Sequence, residues 1–191
     1  MTGLTYNYFP EINGSLVKLR KLSIDDANDI SKLVTHNVSK SLWKVPFPYT
    51  RKDAQNFIES SHKDFTSLKS FNFAIEYKKN ANDPIGLVGI IGIKDLDIGN
   101  KKGNLGYWIG ERYWGKGIGT EAVALVINFA FSVLGLNEIW AYVYSENKSS
   151  IRVLEKNGLV RKGIVIEYNQ TLGNHNSTIK YQLHRKSPSD L

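Results

Sequence analysis

Between Gly110 and Thr120 the chain sets three glycines at alternate positions, Gly115, Gly117 and Gly119, with Arg112 and Lys116 among them. Glycines spaced like this let a backbone turn sharply and approach a ligand, because no Cβ stands in the way. Residues 105–110, just before, are short, apolar and aromatic, as a strand should be. Residues 120–134, just after, are apolar except for Glu121, Asn128 and Ser132. Their positions 122/123, 126/127, 130/131 and 134 recur at helical spacing, which predicts a buried helix. Strand, glycine turn and helix together make a socket for an anion. The first N–H groups of a helix lack intrahelical partners, the helix dipole adds positive charge there, and a phosphate satisfies both. Two phosphate motifs fit poorly. Gly110, Gly115 and Lys116 match G-x-x-x-x-G-K-[ST], but Gly117 takes the place of the magnesium-binding hydroxyl. A dinucleotide fold wants G-x-G-x-x-G and an acidic residue at a strand end. Here the spacing is G-x-G-x-G, and Glu138 precedes the strand 139–144.

A third pattern fits. Trp114-Gly-Lys-Gly-Ile-Gly-Thr-Glu-Ala122 resembles the acetyl-CoA pyrophosphate loop of the GNAT N-acetyltransferases, usually written [QR]-x-x-G-x-[GA]. Trp114 stands where that family has Gln or Arg, a variant that resembles the RimJ/RimL-type branch, and Gly117 and Gly119 fill the glycine positions. Asn147-x-x-Ser150…Val153-Leu-Glu-Lys-x-Gly158 resembles the branch's second cofactor element, and residues 16–27 and 46–58 are also similar to it. The resemblance covers roughly 15–185, with its motifs in 104–168. It implies acetyl-CoA as cofactor, with pyrophosphate on the amides of Trp114, Gly115, Lys116, Gly117, Ile118, Gly119 and Thr120. The pantetheine arm would pair with the backbone at Trp108 and Ile109 like an added strand. Asn147 either hydrogen-bonds that arm or simply caps a helix.

The reaction this implies is attack of a neutral amine on an acetyl thioester. Three demands follow: a deprotonated amine, a donor for the developing oxyanion, and a proton or hydrogen bond for the leaving thiolate. The Ile109 N–H is the expected oxyanion donor, a type of contact typically worth about 10²–10³ in rate. An α-amine of pKa about 8 is roughly a tenth free base at neutral pH, whereas a lysine near 10.4 is almost wholly charged. A protein N-terminus therefore needs only a modest base. Glu167, in Ile166-Glu-Tyr168, resembles an Ala-Glu-Tyr site of RimL-type enzymes and is the first candidate; a solvent-facing strand glutamate is the plain alternative. Glu76 and Glu111 are rivals. Ser150 is the candidate thiolate donor, or else a first-turn helix serine, with Tyr142 and Tyr144 as alternatives. Trp43, Phe47 and Tyr49, in the segment 37–50, are expected to wall the acceptor pocket.

The remaining elements have to bring these parts together. Strands are expected at 15–22, 71–77, 85–93, 104–110, 138–144, 159–168 and 177–184. Ser23-x-x-Asp26 and Thr50-x-x-Asp53 read as capping boxes, opening helices to about 34 and 65, and a short helix is expected over 147–158. Residues 37–49 read as an irregular linker, 80–84 and 169–176 as turns, and 186–191 as a loose tail. The order β-α-α-β-β-β-α-β-α-β-β matches the acetyltransferase fold: an α/β domain with a mixed, mostly antiparallel sheet of about seven strands and flanking helices. No repeat or linker divides the 191 residues, so one domain is expected, with its core about 15–185.

Composition narrows the function classes. The chain has no cysteine, which removes disulfides, thiol nucleophiles and cysteine metal sites. His36, His62, His175 and His184 show no ligand spacing, and no metal site is expected. No apolar run approaches membrane-helix length and no signal peptide is evident, so a cytoplasmic protein is expected. The net charge is +7 and the pI about 9.4, which suits an anionic ligand such as coenzyme A. Basic residues are dispersed, with short groups at 18–21, 101–102 and 184–186, an arrangement that argues against nucleic acid. The acceptor is expected to be an amine on a protein N-terminus. A small-molecule amine (polyamine, amino sugar or antibiotic) stays open, as does a non-catalytic acyl-CoA-binding protein. A monomer or homodimer is equally compatible with the sequence.

Overall fold

The computed structural model describes residues 8–42, 45–80, 83–169 and 174–186, with side chains described outside 79–85 and 166–176. Eight strands form one sheet: β1 (Ile12–Asn13), β2 (Val17–Lys21), β3 (Phe71–Asn80), β4 (Asp83–Asp97), β5 (Lys102–Ile109), β6 (Glu138–Tyr144), β7 (Val160–Asn169) and β8 (Asn174–His184). Their spatial order is β1-β2-β3-β4-β5-β6-β8-β7. Every pairing is antiparallel except that of β5 with β6. The helices are α1 (Ala27–Leu33), α2 (His36–Ser39), α3 (Arg51–Thr66), α4 (Ile118–Ser132) and α5 (Lys148–Lys156).

Side-chain alternation along the strands assigns each helix a face. Phe71 and Phe73 of β3 meet Phe129 of α4, with ring centroids 5.3 and 5.5 Å apart. Asn72, between them, donates to Ser61 of α3 instead. Thus α3 covers one face, and α4 covers the other. The α4 face is the larger part of the core, where Ile118, Ala122, Val123, Val126 and Ala130 are almost fully buried beside Ile75, Ile91, Ile93 and Ile139. On the α3 face, Arg20 of β2 joins three elements. It donates to both carboxylate oxygens of Asp26, just before α1, and through Nε to Glu76 of β3.

Both capping boxes form as the sequence predicts, at Ser23–Asp26 and Thr50–Asp53. The first opens a single 3-10 turn, Ile24–Asp26, ahead of α1. Two expectations needed correction. The linker contains α2, whose N-cap Thr35 accepts from the Val38 amide. The strands flanking the expected turn 80–84 run further than their apolar alternation, pairing Lys78 with Pro84 and Asn80 with Asp83. The two-residue β1 was too short to show a period. With it the described sheet has eight strands, in keeping with the expected mixed, mostly antiparallel sheet of about seven.

Candidate active site

The parallel pairing of β5 with β6 lasts only from Lys102–Glu138 to Asn104–Trp140. Beyond it β5 stays on β4 as far as Ile109, and β6 stays on β8 as far as Tyr144. The sheet is thus split by a notch whose one wall is the backbone of residues 105–109. Peptide groups alternate in direction along a strand, which decides what faces the notch. The Gly110 amide donates to Val88 on β4 at 2.8 Å. The Trp108 carbonyl also lies on the β4 side, against Gly89. Tyr107 and Ile109 therefore turn their N–H and C=O groups into the notch, where no strand among the described residues pairs with them. This corrects the expectation for Trp108, whose peptide group is engaged with β4. The Ile109 carbonyl accepts from the Trp114 indole Nε1 at 2.7 Å. The Ile109 N–H points the same way and is left to donate to a ligand.

The glycine turn begins where β5 ends. Gly115 and Gly117 both have positive φ, at 74° and 79°, which residues with a Cβ adopt only under strain. Gly117 is the N-cap of α4, and the first backbone bond of the helix runs from the Glu121 amide to the Gly117 carbonyl. The amides of Ile118, Gly119 and Thr120 are therefore its unpartnered donors. Residues 114–117 are exposed, and a Cβ on Gly115 would meet nothing within 4 Å. The socket is open, and its residues fit a diphosphate. Trp114 departs from the expectation, because its amide already donates to Glu111 at 3.1 Å. The Ile118 side chain is core, so only its amide can serve. Arg112 and Lys116 flank the Tyr113 ring, 4.8 and 5.5 Å from its centroid.

Across the notch, α5 brings up Asn147 and Ser150. Asn147 is the helix N-cap; its Oδ1 accepts from the Ser150 amide and the Ser149 hydroxyl. Capping thus occupies its oxygen and leaves the Nδ2 group for other partners. The Ser150 hydroxyl lies 2.8 Å from that of Tyr107, which projects from β5. Burial pushes the Tyr107 phenol up to about 12, against the smaller opposite effect of its bond to Ser150. A Cβ at Gly119 would lie 3.6 Å from Tyr107 and 3.9 Å from Val153. Loop, notch and α5 therefore meet at one place. Tyr107 escaped the sequence reading, although its position two residues before Ile109 puts it on the same side of β5.

The opposite face carries an open cleft of about 430 Å³ lined by Asp29, Lys32, Leu33, Thr35, Glu111 and Arg112. Leu33 of α1 packs on the end of β5; a Cβ at Gly110 would fall 2.6 Å from it. Glu111 accepts from Thr35 and Asn37, each at 2.8 Å. These bonds, Asn37 first, hold its carboxyl below the usual range. Phe47 sits edge-on to His36, at 5.3 Å, and is 53% exposed. Tyr49 is half-buried, and burial with the nearby Asp53 charge raises its phenol to about 12. So Phe47 borders the same region as the cleft through His36. Trp43 lies outside the described residues. Glu167 is in β7, opposite Asn176, but its side chain lies outside the described ones. Glu76, a rival base, is held at 2.6 Å by Arg20. Tyr142 is 47% exposed on β6.

A sheet split between two strands, with a glycine loop and helix N-terminus at its mouth, defines the class of acyl-CoA-dependent acyltransferases. The sequence profile described as "Acetyltransferase (GNAT) domain" matches residues 17–160, and the chain belongs to that family. Among relatives, the uncharacterized N-acetyltransferase p20 of Bacillus licheniformis is 28% identical, over 81% of this chain and 85% of that protein. The spermidine N(1)-acetyltransferase of Escherichia coli K12 is 27% identical, over 77% and 74%. Mycobacterium smegmatis RimJ, solved with CoA-disulfide, shares the fold with a TM-score of 0.78 at 21% identity, over 88% and 81%. The protein is an N-acetyltransferase that uses acetyl-CoA. Among the described residues no helix is long and apolar enough to cross a membrane.

Proposed function

We propose that the protein acetylates the α-amine of a protein N-terminus, acting as one catalytic domain in the cytosol. The open Ile109 amide in the β5–β6 notch carries the reading, because it provides an oxyanion donor that no side-chain substitution removes. Acetyl-CoA supplies the activated acetyl thioester. The amides of Ile118, Gly119 and Thr120, with those of Gly115, Lys116 and Gly117, hold its diphosphate, and Lys116 adds a whole charge. Tyr107 pairs with the pantetheine arm through its backbone groups, helped by the Nδ2 group of Asn147, and Ile109 keeps its N–H for the acetyl end. Ile109 N–H then meets the charge that develops on the carbonyl oxygen.

Glu167 takes the proton of the attacking amine. Its demand is small for an α-amine, whose pKa is about 8. Ser150 donates a hydrogen bond to the leaving thiolate. Burial keeps the Tyr107 phenol protonated, so it can donate to Ser150 and leave the serine proton free to turn into the notch. The acceptor enters from the α1 face, along the cleft beside Glu111 and the aromatic segment with Trp43, Phe47 and Tyr49.

The spermidine-acetylating relative favours a second reading, in which the acceptor is a small polyamine. A screen with acetyl-CoA and thiol detection separates them. Peptides with free N-termini should turn over, and the same peptides with blocked N-termini should not. Turnover of spermidine alone would replace the acceptor assignment. Binding of acetyl-CoA without turnover of any amine would make the chain an acyl-CoA-binding protein.

A further inference from the structure

Glu121 is the one charged residue in α4, and its carboxylate folds back onto the β1–β2 turn. Oε1 accepts from the Ser15 amide at 2.7 Å, and Oε2 accepts from the Leu16 and Val17 amides at 2.7 and 2.8 Å. Three successive backbone donors thus converge on one carboxylate, forming an anion nest made by the β1–β2 turn. Gly14 is what allows the approach. A Cβ there would fall 2.9 Å from the Glu121 Cδ and 2.8 Å from Leu125. Lys78 secures the turn from its other side. Its amide donates to the Leu16 carbonyl at 2.7 Å, and its Nζ to the Gly14 carbonyl at 2.9 Å. A turn held in this way sets Leu16 against the cofactor loop, where a Cβ on Gly117 would lie 3.4 Å from Leu16 Cδ1.

Two amide arrays therefore flank the start of α4. One, at 118–120, is open to a ligand; the other, at 15–17, is filled by a carboxylate of the helix itself. We propose that Glu121 is a positioning residue for the cofactor. It fastens the β1–β2 turn as a second wall of the diphosphate socket, with Leu16 bracing the left-handed Gly117. The same three donors offset a negative charge that would otherwise stand one turn from the diphosphate. The inference rests on the assignment of the glycine loop to that diphosphate. A glutamine cannot replace the carboxylate: it offers a single acceptor oxygen, and its NH₂ group would oppose an amide donor.

Acetyl-pantetheine carries the same thioester and arm as acetyl-CoA but no diphosphate, so it separates local from general effects. In Glu121→Gln the KM for acetyl-CoA should rise about tenfold, the scale of one lost charged hydrogen bond. Its KM for acetyl-pantetheine should not change, and kcat with either donor should stay within about threefold. Leu16→Ala, which leaves every charge and the anchor in place, should shift the same ratio by about threefold. An anchor with a structural role alone would lower the melting temperature and leave the two KM values in their wild-type ratio, and that result would overturn the proposal. So would tighter acetyl-CoA binding by Glu121→Gln, which would show the carboxylate opposing the diphosphate. If Glu121→Gln does not fold, the ratio in Leu16→Ala decides alone. A wrong loop assignment shows itself separately, as wild-type enzyme binding acetyl-CoA and acetyl-pantetheine equally well.

Discussion

A positive φ, a hydroxyl pair and a strand glutamate make three tests at the scale of single residues. Gly117 at φ 79° is left-handed and exposed, so Gly117→Val adds both backbone strain and bulk beside the open amides. Acetyl-CoA binding should be lost by titration calorimetry while circular dichroism still reports a folded chain. Unchanged affinity in a folded variant would move the diphosphate elsewhere. Tyr107 is held neutral, with its phenol at about 12, so its contribution should be flat across the working pH range. Tyr107→Phe should lower kcat about tenfold by removing one donor to Ser150, equally at pH 6 and pH 9, with the KM for acetyl-CoA unchanged. A loss that grew or vanished between those values would mean that the phenol titrates there, against the burial that raises it. Glu167→Gln should reduce kcat/KM by about 10²–10⁴, the usual worth of a positioned base. That loss should shrink as pH rises and the amine deprotonates itself. Parallel profiles differing by less than about threefold would leave water as the proton acceptor.

Elements matter here through their joints. The Arg20 guanidinium ties β2, the turn before α1 and β3 together by gripping Asp26 and Glu76. Its hydrogen bond to Asp26 contributes most to raising the arginine above its ordinary range. Asp26 is 6% exposed, so Asp26→Ala leaves a charge without its main partner inside the fold. Stability to urea should fall by roughly 2 kcal/mol, below the 3–5 of a fully enclosed pair because Arg20 keeps Glu76. Acetyl-CoA affinity of the folded protein should hold, since the glycine loop lies on the other face. A drop in affinity as large as the drop in stability would show that the two faces are coupled.

For the whole molecule, the cofactor binds the folded chain alone and should stabilise it by mass action. At a hundredfold excess over Kd the gain is about 2.7 kcal/mol, which for a domain of this size raises the melting temperature by roughly 5–10 °C. ATP and NAD at the same concentrations should give no comparable shift. A shift with either nucleotide and none with acetyl-CoA would reverse the reading of the loop.

Sequence alone determined the parts whose physics is local. Alternate glycines, an adjoining apolar strand and a periodic apolar helix specify a turn with positive φ and open amides, whichever residues surround it. Ser23–Asp26 and Thr50–Asp53 likewise cap their own helices from three residues away. What only the tertiary structure decided depends on contacts between distant segments. That β5 leaves β6 after Asn104 follows from each strand staying with a different neighbour, and no spacing within 104–110 records it. The direction of the Trp108 and Ile109 peptides depends on where Gly110 meets Val88 across the sheet. Glu121 reads as a stray polar residue in an apolar helix until the turn at Ser15 is folded over it, and Tyr107 reads as strand packing until α5 brings Ser150 to its hydroxyl. The type of chemistry was therefore legible in one stretch of chain, whereas the arrangement that could perform it required the sheet to close around that stretch.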